Sequence, residues 1–118
     1  MGLDITFFKN KNGEGLDNLK ECGYLRKHYY VYNYFKGNLV DGEYYCEVSV
    51  EDLEALIAKC REVLERRDSW RIADRLLPEG GDYDDLYYDK IKEGLALFKK
   101  MLRGFDPDKQ TMYVEFWY

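Results

Sequence analysis

Two stretches in the second half of the chain carry apolar residues at the three-to-four-residue spacing of a helix face, and nothing else in the sequence constrains the fold as strongly. The first opens at Ser49, which forms a capping box with Asp52 three residues on. Leu53, Leu56, Ile57, Cys60, Val63 and Leu64 share one stripe, and Glu54, Arg61, Glu62 and Glu65 fall largely outside it. This helix is predicted to run to about Arg67. The second is predicted to start at Asp82, capped with the help of Asp85, and to follow the stripe Tyr87, Ile91, Leu95, Phe98 and Leu102 to an end near Gly104. Between the two, Trp70, Ile72, Leu76 and Leu77 form a short further turn before Pro78, and Glu79-Gly80-Gly81 reads as a flexible loop.

The flanking segments follow a period of two. Leu3 to Lys9 is a strand, with Leu3, Ile5 and Phe7 alternating with Asp4 and Thr6. Asn10 to Gly15 has the chemistry of a tight reversal, and Leu16 to Gly23 fits either a short helix or the second strand of a hairpin. Tyr24 to Phe35 has the aromatic content of a strand, but Leu25, Tyr29, Tyr32 and Phe35 recur at helical spacing. A helix is expected there, stopped by Gly37 in the left-handed region. Glu43 to Val48 is a strand, and after the turn Asp106-Pro107-Asp108-Lys109 the chain ends in a strand from Thr111 to Tyr118. That strand is aromatic on both faces, with Met112, Val114 and either Phe116 or Trp117 turned to the core, so its other face is either covered or offered to a partner. The order implies an α+β fold: a small, mainly antiparallel sheet packed on one face by about three helices, in a single domain spanning residues 1–118.

A chain of 118 residues is long enough to bury a core without disulfide or metal staples. Its net charge of −5 argues against a phosphate backbone being met by bulk electrostatics, so direct nucleic-acid binding is not expected. The three cysteines, Cys22, Cys46 and Cys60, lack CxxC spacing and His28 is the only histidine, so neither a metal nor another cofactor is expected. No stretch reads as a signal peptide or approaches the ~20 apolar residues of a membrane span, so a cytoplasmic protein with reduced thiols is expected. The Gly80 to Asp85 loop is acidic, but counting from Asp82 puts Leu86, which has no ligand oxygen, at the fifth position of a calcium loop, with Glu93 at the twelfth, and capping explains the acids better. No Walker loop, GxSxG, HExxH or GxGxxG is present.

Acids concentrate in Asp41 to Glu54 and again in Leu76 to Glu93. Together with 12 tyrosines they offer an adaptable contact surface, expected around Tyr83, Asp84, Asp85, Tyr87 and Tyr88 and completed by Arg26 and Lys27. An ordinary solvated face with acids placed for helix caps is the simpler account of the same residues. A small-anion or nucleotide pocket, belonging to a binding protein or an enzyme and holding its ligand on Arg26 between the sheet and the Tyr24–Phe35 helix, is the alternative. A homodimer through the C-terminal strand is a third expectation.

Several of these pieces together resemble a family of small phage and prophage proteins without an established activity. The resemblance lies in the MGLD start, Gly23-Tyr24-Leu25-Arg26-Lys27 leading to Tyr34-Phe35, Glu43-Tyr44-Tyr45 before the Ser-capped helix, Leu76-Leu77-Pro78 with its glycine loop, and Tyr83-Asp84 with Tyr87-Tyr88. It spans most of Gly23 to Leu102 and implies a helix over Tyr24 to Phe35. The sequence departs from the family at Leu25, where relatives have tryptophan, at Tyr32, where they often have histidine, and in a shorter loop between Pro78 and Tyr83. The family supplies no activity to carry over, and the function expected from the residues is that of a non-enzymatic phage or prophage accessory protein acting by protein binding, an inhibitor of a host defence system through its acidic, tyrosine-rich surface.

Overall fold

The computed structural model describes residues 2–39 and 42–118. Met1, at the head of the family-like start, and Asp41, the first acid of its run, lie outside the described residues. In chain order the elements are β1 (Asp4–Lys11), β2 (Lys20–Arg26), α1 (Tyr29–Phe35), β3 (Tyr45–Val48), α2 (Val50–Glu65), α3 (Trp70–Leu76), α4 (Asp85–Arg103) and β4 (Gln110–Trp117). The four strands form one antiparallel sheet in the order β2-β1-β4-β3. The fold is α+β, with four helices where about three were expected.

Strand alternation decides which side chains enter the core. Ile5 faces Leu25 and Phe116 across the sheet, Phe7 faces Gly23 and Val114, Cys46 on β3 continues the Phe7 row, and Val48 stands opposite Met112. All but Gly23 are buried, and they form one cluster with Tyr30 and Phe35 of α1, Leu53 and Leu56 of α2, Ala73 of α3, and Ile91 and Phe98 of α4. Phe116, not Trp117, is the inward residue of β4, and its ring meets Tyr32 edge-on at 5.4 Å.

The capping box forms as predicted: Ser49 Oγ accepts from the Asp52 N–H at 3.0 Å, and an Asp52 carboxylate oxygen accepts from the Ser49 N–H at 2.9 Å. The other Asp52 oxygen accepts from the Tyr34 hydroxyl at 3.0 Å; burial and this bond push that phenol up to about 12. Cys60 lies in the core as its stripe implied, its thiol pushed up by burial to about 12.

Three local expectations are corrected and one open choice is settled. Tyr24 to Arg26 is strand, and the helix begins only at Tyr29, after Lys27 turns the chain through a left-handed φ of 61°. Leu25 belongs to the sheet, opposite Ile5, so its apparent helical spacing with Tyr29 is coincidental. Leu16 to Gly23 accordingly resolves as the return of a hairpin whose second strand starts at Lys20. Helix α1 ends by tightening into a 3-10 turn, Lys36–Asn38, rather than on a left-handed Gly37. Finally, α4 is capped by Asp84, whose carboxylate accepts from the Tyr87 N–H at 3.1 Å, and not by Asp82.

Two glycines let α4 approach its neighbours. A Cβ at Gly23 would stand 2.7 Å from Met101 Sδ, and one at Gly94 would collide with the Tyr30 hydroxyl. Alanine at 94 gains about 1 kcal/mol of helix propensity. Gly94→Ala should nevertheless destabilise the protein, by about 1–3 kcal/mol, because the buried phenol has nowhere to go. The cost should shrink in a Tyr30→Phe background, as a denaturation double-mutant cycle would read; an equal cost in both backgrounds would refute the collision.

Candidate interaction surface

The residues expected to form the contact surface divide into three groups. Tyr87 and Tyr88 are buried, and Tyr83 is half-buried. Tyr87 donates its hydroxyl to the Leu77 carbonyl at 2.8 Å and stacks edge-on between Tyr83 and Tyr88, at 4.8 and 5.1 Å. Tyr83 donates to Asp74 at 2.6 Å. The Tyr88 ring lies 4.8 Å beneath the Arg67 guanidinium, which also binds Asp85 at 2.6 Å. These rings pin the segment between α3 and α4, and the Tyr83 and Tyr87 hydroxyls are already bonded inside the chain. The expected tyrosine surface is thus corrected to an internal brace. The helical stripe through Tyr87 carried the signal, since a residue on the core side of α4 is not also free to meet a partner.

Asp84 and Asp85 remain exposed but serve α4, one as its cap and the other in the pair with Arg67. Lys27 approaches this region through its backbone only: its carbonyl accepts from Lys90 Nζ at 2.9 Å, and the same ammonium binds Glu79 at 3.0 Å. A cavity of about 380 Å³ beside them is lined by Tyr29, Glu79, Asp82, Leu86, Tyr87 and Lys90. Its cation is Lys90, already held by Glu79, so the anion pocket expected around Arg26 is not at this place. Arg26 instead points from the end of β2 to the other side of the sheet, its guanidinium beside Gly2.

That side is the outer face of the sheet. By register it consists of three rows: Arg26, Asp4 and Trp117; then Tyr24, Thr6, Glu115 and Tyr45; then Glu21, Phe8, Tyr113 and Glu47. Among the described residues no helix contributes to these rows, and Tyr24 and Trp117 are 48% and 59% exposed. Tyr45 and Tyr113 meet edge-on at 6.5 Å, Tyr44 packs against Trp117 at the rim at 6.0 Å, and Tyr24 donates its hydroxyl to Asp4. Adjacent strands lie about 4.8 Å apart, so the rings form a continuous shallow platform. Asp4, Glu21, Glu47 and Glu115 stand on it, against Arg26 and, beside it at Gly2, the Lys27 side chain. Sequence reasoning found only part of this face, through the double-sided aromatic pattern of the last strand. The alignment of Phe8, Tyr24 and Tyr45 with it depends on register, which no single segment reveals.

Because β4 lies between β1 and β3, its ladder is occupied on both sides, and the expected dimer through the C-terminal strand has no free edge there. Among the described residues no helix is long and apolar enough to cross a membrane. Fold and surface together define a two-layer α+β protein that leaves one aromatic, acid-bordered sheet face open. No protein-family model, curated protein or solved structure matches the chain.

Proposed function

We propose that this chain works by binding rather than catalysis, and that the open sheet face receives a Lys- or Arg-bearing surface of a partner protein. The observation that carries the reading is the pairing of aromatic rings with an excess of carboxylates, Asp4, Glu21, Glu47 and Glu115, over the two cations at one edge, Arg26 and Lys27. Tyrosine and tryptophan are large, rigid contact residues that lose little entropy on binding. A cation placed over such a ring gains about 0.5–1 kcal/mol where exposed and ~2 kcal/mol once desolvated. The carboxylates steer a basic partner inward and repel an acidic one. An open sheet bearing aromatics also suits base stacking, but single-stranded nucleic acids need a positive groove along their backbone, and the charge here has the opposite sign. The resemblance to phage and prophage proteins supports a host protein, such as a component of a defence system, as the partner.

Tryptophan fluorescence tests this directly, because the chain has only Trp70 and Trp117. In a Trp70→Phe background, a synthetic arginine-glycine peptide should change Trp117 emission, and Asp4→Lys with Glu115→Lys should weaken that binding at least about tenfold, or 1.4 kcal/mol. An oligothymidylate should leave the emission unchanged. Binding of the oligonucleotide, or peptide binding indifferent to the charge reversals, would refute the proposal.

A further inference from the structure

At the far side of the helical layer, α2 and α4 enclose a groove of about 290 Å³ with an apolar floor of Ile57 and Leu102. Arg61, Lys99 and Arg103 rim it, opposed there only by Glu54. None of the three cations makes an ion pair among the described residues, although the chain carries 23 acids to 18 bases. Arg103, in the last turn of α4, and Lys99, one turn earlier, answer the negative end of the helix dipole. Arg61, in the interior of α2, has no such reason to be there.

The complementary shape is present on the same chain. Leu86, in the first turn of α4, is 72% exposed, more than any other large apolar side chain described. Asp89 follows it by three residues and therefore neighbours it on the helix surface, and Asp82 shares a cavity wall with it. An apolar knob set among carboxylates thus matches an apolar floor set among cations. The two cannot meet within one molecule, because Leu86 and Leu102 lie roughly 24 Å apart along α4.

We propose that the α2–α4 groove receives Leu86 of a second copy of this chain, with Asp82 and Asp89 of that copy facing Arg61, Lys99 and Arg103. The contact is small and head-to-tail, so it is weak and concentration-dependent, and each copy presents one knob and one groove. It is independent of the sheet face, which lies on the opposite side of the sheet from the helices.

Sedimentation equilibrium tests it. The weight-average mass should rise above 14.1 kDa with concentration, and fall back as salt is raised from about 0.01 to 1 M, where the Debye length shortens from roughly 30 to 3 Å. Leu86→Ser and Arg61→Glu should each weaken association at least about tenfold. Mixed together, the two variants should form a discrete heterodimer and nothing larger, since only one intact knob and one intact groove remain between them. Both positions are exposed, so unchanged circular dichroism and melting confirm folding, and Arg103→Glu provides a second groove variant. A wild type that stays at one copy at every concentration, association indifferent to salt or to these substitutions, or a mixture that remains monomeric would each overturn the proposal.

Discussion

Phe116→Ala should cost about 3–5 kcal/mol of stability, and Trp117→Ala, its immediate neighbour, no more than about 0.5 kcal/mol. The two residues are consecutive on β4 and therefore face opposite sides of the sheet. Phe116 is 1% exposed and meets both Tyr32 and Phe35, which tie α1 to the sheet. Removing its ring leaves a cavity that four strands and a short helix close only in part. Trp117 is 59% exposed and touches Tyr44 at the rim. Urea unfolding of both variants reads the contrast. A large cost at Trp117 would mean that something covers the outer face, and a small cost at Phe116 would mean that the register of β4 is wrong.

The second large effect is on pH dependence. His28 is 2% exposed, its Nδ1 lies 2.9 Å from the Tyr30 hydroxyl and its Nε2 lies 3.3 Å from a Glu93 carboxylate oxygen. Burial, and then the Lys90 ammonium, lower the imidazole from 6.5 to about 4. Glu93 acts in the opposite direction, but its side chain is 64% exposed and water screens it. The unfolded chain therefore binds a proton at His28 between about pH 6.5 and pH 4 while the folded chain does not. Stability from this group is complete above the unfolded value and is lost on acidification through that window, by about 3 kcal/mol at its lower end. His28→Gln removes the titration. Whatever that substitution costs at pH 7, its deficit relative to wild type should shrink by about 3 kcal/mol at pH 4, whereas a deficit that does not change with pH would show that the ring is solvated.

The two long helices were legible in the sequence because each carries its own evidence: a period, a cap and a stop lie within one contiguous segment. The hairpin and α1 were not, because Tyr24 to Phe35 satisfies a helical spacing and a strand composition at once, and only the partner strand decides between them. Leu25 opposite Ile5 settles the matter, and Lys27 at a positive φ makes the corner that separates strand from helix. The same limit governs the surface. Tyr83, Tyr87 and Tyr88 have the chemistry of contact residues, yet Tyr87 and Tyr88 are buried on the core side of α4 and Tyr83 is half-buried in the loop before it. Arg26 reads from its chemistry as a contact residue or, alternatively, a pocket residue, and it joins the sheet face, where strand alternation puts it beside Asp4. Chemistry of side chains was readable from the chain, whereas their juxtaposition across strands that are far apart in sequence was not.

Hydroxyl-radical footprinting, read residue by residue with and without the arginine-glycine peptide, addresses the open face most directly. In the free protein Tyr24, Tyr113 and Trp117 should oxidise readily while Phe116, Tyr30 and Tyr87 resist, and the peptide should protect the first group alone. Slow oxidation of Trp117 and Tyr24 in the free protein, or protection that falls elsewhere when the peptide binds, would contradict the assignment of this face as the binding surface.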